Sequence, residues 1–411
     1  MRVYISGISG TAMGPLALMA KEAGFEVFGS DLHPGAVSDE LKNAGIVFSI
    51  GEQDGKFLEK IQKEGEIDWF VYTSALPKDH KELLRAKELG IKVSKRDEFI
   101  AFLVKRLKLK MVAVAGTHGK TTTTAGIVFL CLKLGLPVSW LVGTTLGFAG
   151  AGEYVPGSKY LIYEADEYDR NFLHYHPFLS IIPSVSYDHP DIYPTEADYK
   201  AAFAQFIRQS KKTITETTLD KRLTVSGEAR RFDLGLAIEA VVEVLKDMKL
   251  EGGKYTRENL ILEMDKFPGV GRRMERVSEG VYSDYAHHPE EIKATIEMAL
   301  EEAKRKKMKG VVAIYEPHQN IRQHEVFSDY KDAFLGLEKL FWMPTYLTRE
   351  DPKLTVIKPE EFVANLDNFE IGEAAEFNEE LFLRLKSYRE DGYLILLMTA
   401  GPGDNWLREK F

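Results

Sequence analysis

A glycine-rich turn followed by a lysine and several threonines carries the clearest chemistry in this sequence. Residues 112–124 read VAVAGTHGKTTTT. Glycines let a backbone approach phosphate oxygens and aim its N–H groups at them, and the N-terminus of a following helix adds a favourable dipole. Lys120 would reach the β- and γ-phosphates of a nucleotide, and the Thr121 hydroxyl would bind Mg²⁺. The segment predicts a triphosphate-binding loop, although Gly116 lies only three positions before Gly119, closer than the strict pattern requires.

Acidic residues and a histidine follow two later runs that read as strands. The cluster Glu164-Ala-Asp166-Glu167 comes after the run 160–163, and His189 comes shortly after the run 179–182. Ligands of open parallel sheets collect at the carboxyl ends of the strands, and carboxylate oxygens are ligands of hard cations. The pattern predicts a cation site near the phosphate loop. A solvated acidic turn and a packing histidine are the alternatives.

A second glycine turn lies near the N-terminus. Gly7, Gly10 and Gly14 follow the strand-like run 2–6, and Asp31 comes about 20 residues later. This arrangement imitates a dinucleotide-binding fingerprint, but its spacing does not meet GxGxxG. A turn that needs glycine only for its shape is the alternative, and the central phosphate loop argues against an NAD-dependent dehydrogenase.

The elements that must position these residues alternate between short β-rich runs and longer amphipathic segments, which predicts α/β layering. A chain of 411 residues is too long for one ordinary core. Three α/β domains are expected, at residues 1–108, 109–267 and 268–411, with the basic stretch Lys105 to Lys110 as a connector.

Composition limits the classes of function. The 44% hydrophobic and 28% charged residues fit a globular protein, and no apolar run approaches the roughly 20 residues that cross a bilayer. The single cysteine, Cys131, excludes a disulfide framework and a cysteine-ligated metal. A net charge of −9 argues against binding to nucleic acid or membrane surfaces. With no signal-peptide pattern at the start of the sequence, the expected location is the cytoplasm.

The loop AGTHGKTTTT at 115–124 resembles the ATP loop of the Mur ligase family, the ATP-dependent amide-forming ligases of peptidoglycan synthesis. Other segments resemble the family in the same order along almost the whole chain. They are 7–14, 29–31, 72–75, 164–167, 188–191, 272–273, 284–289, 317–322 and 401–404.

The resemblance implies a fold and a set of roles for individual residues. It implies an N-terminal Rossmann-like domain for a UDP-sugar, a central P-loop domain for ATP and a C-terminal Rossmann-like domain for the amino acid. The UDP-sugar contacts would be Ser9, Gly10, Thr11, Ala12, Asp31, Thr73 and Ser74. The ATP contacts would be Gly116, Thr117, His118, Gly119, Lys120, Thr121, Thr122 and Arg273.

The remaining implied roles concern the metal, catalysis and the amino-acid substrate. Two Mg²⁺ ions are expected, with Thr121, Glu164 and His189 as ligands. The catalytic residues would be Lys120, Glu164, His189, Arg272 and His287, with His287 as a base. The amino-acid site would consist of Asp284, His287, His288, His318 and Arg322. A zinc site at 284–288 is not supported by the spacing.

The histidine inside the loop favours the family branch that joins L-alanine to the lactyl carboxylate of UDP-N-acetylmuramate through an acyl phosphate, with ATP as co-substrate. A branch that attaches a tripeptide to the same sugar nucleotide stays open, and a monomer or a homodimer is expected.

The sequence departs from the family in the region expected to hold adenine and ribose. Ser184 stands where asparagine is usual, the element 227–233 lacks the usual Gly-x-His-Asn-x-x-Asn, and the chain between Asp191 and Gly227 is short, as though strands of the central domain were missing. A non-catalytic nucleotide-binding relative is therefore a third alternative.

Overall fold

The computed structural model describes residues 1–35, 37–73, 76–348 and 350–411. The chain divides into two compact units. The first consists of Met1–Leu223 and Phe232–Pro268, and the second of Thr224–Arg231 and Gly269–Phe411. Strands and helices alternate in both units, which confirms the predicted α/β class.

The N-terminal part of the first unit is an open parallel sheet. Its strands are β1 (Arg2–Ser6), β2 (Glu26–Asp31), β3 (Val47–Ile50), β4 (Trp69–Tyr72) and β5 (Lys92–Lys95). Its helices are α1 (Met13–Glu22), α2 (Ser38–Asn43), α3 (Lys56–Glu64), α4 (Lys81–Glu88) and α5 (Arg96–Arg106). The order β3-β2-β1-β4-β5 places the predicted strand β1 in the centre. The register aligns Ser6 with Tyr72 and Tyr72 with Lys95, so these strands end at one edge.

The second sheet of this unit carries the phosphate loop. Its strands are β6 (Lys110–Val114), β7 (Ser139–Leu141), β8 (Gly152–Glu153), β9 (Tyr160–Glu164), β10 (Leu179–Ile181) and β11 (Thr213–Ile214). Its helices are α6 (Lys120–Lys133), α7 (Glu196–Gln209), α8 (Glu228–Met248) and α9 (Arg257–Met264). The order is β11-β10-β6-β9-β7-β8, and only the pair β7–β8 is antiparallel. The register sets Val114 between Glu164 and Ile181, so the phosphate loop emerges between the ends of β9 and β10.

One hydrophobic core joins these two sheets. It includes Leu16 of α1 and Phe99 of α5 together with Leu161 and Tyr163 of β9. The basic stretch expected to be a connector belongs mostly to regular structure, because α5 runs to Arg106 and β6 begins at Lys110. The boundary expected at 108 lies inside this unit, and the three-domain division stays a prediction.

The second unit is built on a third sheet. Its strands are β12 (Glu275–Ser278), β13 (Val281–Asp284), β14 (Val311–Glu316), β15 (Lys339–Trp342), β16 (Gly372–Ala374) and β17 (Leu394–Thr399). Its helices are α10 (Pro289–Arg305), α11 (Asn320–Val326), α12 (Pro359–Ala364), α13 (Glu379–Glu390) and α14 (Gly403–Lys410). The order is β12-β13-β17-β14-β15-β16, with only β12 antiparallel to its neighbour. Among the described residues, no helix has both the length and the apolar character needed to cross a membrane.

Candidate active site

The phosphate loop leaves the buried strand β6 and lies against the segment that follows β10. The amide of Ala115 donates to the carbonyl of Ile181 (3.0 Å), and the amide of Thr117 donates to the carbonyl of Ser184 (3.1 Å). A side chain at Gly116 would place its Cβ 2.8 Å from the Ser184 carbonyl oxygen. Glycine at this position therefore lets the loop lie flat on the neighbouring strand end.

Gly119 makes the turn into α6 with a left-handed φ of 82°. A Cβ at this position would lie 2.9 Å from Cβ of Pro183 and still closer to Oδ1 of Asp233. The first turn of α6 contains no acidic residue. Its N-terminus carries a positive dipole that attracts a phosphate, with Oδ1 of Asp233 as the nearby carboxylate oxygen.

Replacing Gly119 by alanine is expected to lower the affinity for ADP at least about tenfold, because the turn must move away from its left-handed conformation and from its close neighbours. Gly157→Ala is a matched control, since Gly157 has a φ of 83° but no atom within 4 Å of the added Cβ. Gly157→Ala should lose about 1–2 kcal/mol of unfolding free energy, and Gly119→Ala should lose more, because its Cβ also meets Pro183 and Asp233. Calorimetric titration with ADP and thermal denaturation measure the two effects. Equal ADP affinities in the two variants would contradict the close approach described for Gly119.

Lys120 is held inside the loop by three oxygen acceptors. Its Nζ donates to the carbonyl oxygens of Gly116 (2.5 Å) and Thr117 (3.2 Å) and to Oε1 of Glu167 (2.9 Å). Burial alone would lower the pKa of Lys120, but Glu167 outweighs this effect and the pKa is raised. Burial alone would raise the pKa of Glu167, but Lys120 and His189 lower it. The two side chains, 18% and 2% exposed, therefore form a charged, mostly buried pair.

Thr121 and Glu164 meet beside this pair. The Thr121 hydroxyl donates to Oε1 of Glu164 (2.8 Å), and the amide of Gly143 donates to Oε2 of Glu164 (3.0 Å). Hydroxyl and carboxylate oxygens are hard donors that suit Mg²⁺. The residues present therefore fit a Mg²⁺ ion next to a bound triphosphate.

His189, the third expected metal ligand, lies against other carboxylates. Its Nε2 is 3.5 Å from Oε1 of Glu167 and 3.7 Å from Oδ2 of Asp188. Glu167 thus lies between Lys120 and His189, and it is a site residue absent from the sequence predictions. The sequence places Glu167 in the acidic cluster 164–167, but spacing alone does not indicate which carboxylate of the cluster faces the phosphate loop.

The segment 184–186 forms hydrogen bonds with the other side of the phosphate loop. Ser184 Oγ accepts from the amide of His118 (2.8 Å) and donates to the carbonyl of His118 (3.1 Å). Thr117 Oγ1 donates to the carbonyl of Ser186 (2.7 Å) and lies 2.8 Å from the hydroxyl of Tyr199. Ser184, which replaces the family's usual asparagine, therefore supports the backbone of the loop. Thr122, in the first turn of α6, is half-buried.

The first glycine turn is ordered by the end of β2. The amides of Gly7 and Ile8 donate to the carbonyl of Ser30 (2.8 and 3.1 Å), and the amide of Ser9 donates to Oδ2 of Asp31 (2.8 Å). Asp31 therefore holds this turn in shape. Of the other residues expected to contact a UDP-sugar, Gly10 and Thr11 are exposed, and Ala12 is half-buried just before α1. Thr73 lies beside Gly7, and Ser74 falls outside the described residues.

In the second unit, the predicted residues near β13 are held by short contacts. Arg272 donates to the carbonyl of Thr399 (2.6 Å), and both Arg272 and Arg273 lie over the ring of Tyr285, at 4.6 and 5.4 Å. Asp284 accepts from the amides of Met274 (2.7 Å) and Ala286 (2.8 Å), and burial raises its pKa. Asp284 therefore shapes the turn after β13, and its proposed contact with a substrate stays a prediction.

His287 and His318 are brought together in this unit, with ring centroids 6.0 Å apart. Nδ1 of His287 lies 3.0 Å from the carbonyl of Tyr285 and 3.2 Å from Oε2 of Glu291. These acceptors favour a proton on Nδ1, so Nε2 can accept one. His288 precedes α10, and Arg322 lies in the first turn of α11.

A buried hydrogen-bond chain, which the sequence did not indicate, connects the backbones of the two histidines. Gln323 donates to the carbonyl of His318 (3.0 Å) and accepts from the hydroxyl of Tyr330 (2.7 Å). The hydroxyl of Tyr315 lies 2.8 Å from that of Tyr330 and 3.2 Å from the carbonyl oxygen of His287, and its single proton can be donated to either. The chain fixes the spacing between the turn after β13 and the turn before α11.

Comparisons with known proteins find relatives along almost the whole chain. A UDP-N-acetylmuramate–L-alanine ligase of Clostridium acetobutylicum is 28% identical over 452 aligned positions, covering 98% of this chain and 95% of the relative. The ligase of the same name from Chlorobium chlorochromatii is 30% identical and covers 97% and 94%. These alignments of 452 positions exceed the 411 residues of the chain, so each relative carries segments that the chain lacks.

Solved structures share the fold. The UDP-N-acetylmuramate–alanine ligase of Thermotoga maritima matches with a TM-score of 0.75 at 20% identity, covering 100% of this chain and 98% of the other. A murein peptide ligase of Psychrobacter arcticus matches with a TM-score of 0.62 at 21% identity, with the same coverage. The model of the Mur ligase family catalytic domain matches residues 2–108, and that of the Mur ligase middle domain matches 114–226. With family models over more than half of its length and full-length relatives of up to 30% identity, this chain belongs to the Mur ligase family.

Proposed function

We propose that this protein is an ATP-dependent ligase that joins L-alanine to the lactyl carboxylate of UDP-N-acetylmuramate in peptidoglycan precursor synthesis. The observation that carries the proposal is the charged centre at the phosphate loop, where Lys120 contacts Glu167 and Thr121 contacts Glu164. The two pairs can hold a triphosphate and Mg²⁺, which the transfer of a γ-phosphate requires. Full-length relatives that carry this activity in their names support it.

The reaction would begin with attack of the lactyl carboxylate on the γ-phosphate of ATP, giving an acyl phosphate and ADP. The phosphate loop would hold the triphosphate through its backbone amides and the N-terminus of α6. Lys120 would move from the carbonyls of Gly116 and Thr117 to the phosphate oxygens and compensate the charge that develops on them. Catalysis of this kind depends on positioning and electrostatic stabilisation.

Mg²⁺ would be held by Thr121 and Glu164, with Glu167 and His189 close by. Bound there, it would neutralise phosphate charge and orient the transferred group. The number of ions, two in our expectation, is part of the proposal.

The second step would be attack of the L-alanine amine on the acyl carbon, with loss of phosphate. We assign the removal of the amine proton to Nε2 of His287, because Nδ1 faces two oxygen acceptors. Arg322 and His318 would hold the alanine carboxylate, which a guanidinium matches in geometry. The glycine turn after β1 would hold the diphosphate of the sugar nucleotide. The proposed location is the cytoplasm, where such nucleotides and ATP are available.

Phosphate release tests this function. With ATP, Mg²⁺ and UDP-N-acetylmuramate, the purified protein should release phosphate only after L-alanine is added, and mass spectrometry should detect the alanyl product. Release that requires a murein tripeptide instead would replace the proposal with the recycling reaction. Nucleotide binding without release under either condition would indicate a non-catalytic relative.

A further inference from the structure

Two cations at the start of α5 contact the acidic turn that faces the phosphate loop. We define the acidic turn as residues 164–170. Lys95, the last residue of β5, forms an ion pair with Asp169, and Nη2 of Arg96 lies 3.4 Å from Oδ2 of Asp166. The two cations come from the first sheet of the unit, whereas the acidic turn belongs to the second.

Arg96 is anchored by a buried carboxylate. Its Nη2 and Nε lie 3.2 and 3.3 Å from Oδ1 of Asp97, which is 1% exposed. The same oxygen accepts from the hydroxyls of Tyr163 (3.2 Å) and Tyr175 (2.7 Å). These contacts to Oδ1 offset part of the cost of withdrawing the carboxylate from water, whereas Oδ2 of Asp97 has no hydrogen-bond partner among the described residues. This network therefore differs from an exposed ion pair, because it fixes the direction of the Arg96 guanidinium.

The acidic turn needs such support because its backbone is strained. Asp169 and Arg170 are consecutive left-handed residues, with φ of 53° and 58°. Non-glycine residues in this region cost about 1–3 kcal/mol each and persist only where surrounding contacts hold them. Lys95 holds Asp169 itself, and Arg96 holds Asp166 at the start of the turn.

The position of the turn decides the contacts of the phosphate loop. Glu164 accepts from the Thr121 hydroxyl, and Glu167 accepts from Lys120. Without the two cations, the clustered carboxylates would repel one another, and the turn could relax away from the loop.

We propose that Lys95 and Arg96 are positioning residues for the ATP site, which clamp the strained acidic turn so that Glu164 and Glu167 face the phosphate loop. This inference rests on the proposed function, because it assumes that the loop binds ATP with Mg²⁺. Neither residue needs to touch the nucleotide.

The test compares Lys95→Met and Arg96→Lys with the unaltered protein. Calorimetric titration with ADP over a range of Mg²⁺ concentrations gives a readout independent of turnover. Each variant should need about tenfold more Mg²⁺ for half-maximal ADP binding, in the range seen when groups that orient metal ligands are removed. In the steady state, the KM for ATP should rise while the KM for UDP-N-acetylmuramate stays unchanged. Arg85→Ala is the control, because Arg85 is a cation on α4 paired with the exposed Glu88.

The direction of the change in Mg²⁺ affinity distinguishes a positioning role from a direct electrostatic effect. Removing a cation near a metal site without moving the ligands would tighten Mg²⁺ binding, and this result would overturn the proposal. A lower melting temperature with unchanged Mg²⁺ dependence would overturn it as well, by indicating a purely structural role. Lys95→Met keeps the test informative if Arg96→Lys does not fold, because Lys95 is partly exposed. Failure of the unaltered protein to bind ADP would count against the proposed function itself.

Discussion

Replacing Lys120 by alanine is expected to lower the turnover number by at least about 10³-fold, the scale of losing a positioned charge in phosphoryl transfer. Lys120 is the cation that contacts the phosphate loop from inside, through the carbonyls of Gly116 and Thr117. Its raised pKa keeps it charged throughout the neutral range. Water in the vacated space would screen the phosphate charge poorly in comparison with a fixed ammonium group.

The measurement is L-alanine-dependent phosphate release at saturating ATP, accompanied by thermal denaturation. Lys133→Ala is the matched control, because Lys133 lies in the last turn of the same helix and is exposed. Lys120→Arg keeps the positive charge, and it should still lose at least about 10²-fold because a planar guanidinium does not reproduce the contacts of a compact ammonium. Turnover of Lys120→Ala within tenfold of the unaltered protein would contradict the proposed role.

The sequence predicted those parts of the fold whose signal is local. The runs 2–6, 160–163 and 179–182 are short and mostly apolar, and the structure places the strands β1, β9 and β10 there. The two-residue strands β8 and β11 carry no such signal. They exist because a neighbouring strand supplies partners for their backbone, which is a property of the tertiary structure and not of the segment.

The same distinction between local sequence signals and tertiary contacts applies to the candidate active site. Gly119, Lys120 and Thr121 were predictable because glycine, lysine and hydroxyl chemistry is fixed by the order of residues in one loop. Glu167 was not, because its role depends on contacts with Lys120 and His189, which lie on separate segments of the chain.

For Asp284, the residue type suggests one role and the local structure shows another. Its type and its place at a strand end suggest a ligand, yet both of its oxygens accept backbone amides. Residue type indicates which chemistry is available to a side chain, whereas the backbone decides where that chemistry is used.

Replacing Glu167 by glutamine is expected to lower turnover by at least about 10²-fold while keeping the shape of the side chain. Glutamine removes the negative charge that lies against Lys120 and His189. The buried ammonium group would lose its charged partner, which should lower the unfolding free energy by about 3 kcal/mol in the absence of nucleotide. A bound nucleotide supplies negative charge to the same lysine. Added ADP should therefore raise the melting temperature of Glu167→Gln by more than it raises that of the unaltered protein.

The dependence of this stability difference on pH follows from the direction of the two pKa shifts. The lowered pKa of Glu167 gives stability that is complete above about pH 4.3, the ordinary value for glutamate, and is lost as the pH falls through the lowered value. The raised pKa of Lys120 gives stability that is complete below about pH 10.4 and is lost only above it. The difference between the two proteins should therefore shrink as the pH falls from neutral to about 3, because Glu167 takes up a proton in that range.

Thermal and urea denaturation across this range measure the difference, with Glu251→Gln as the control because Glu251 is exposed. Glu167→Asp retains the charge but shortens the reach, so it should restore part of the stability and little of the turnover. A stability difference that stays the same from neutral pH into stronger acid would mean that Glu167 does not carry its charge against Lys120 in the folded protein. The ion pair from which the role of Lys120 is argued would then be absent.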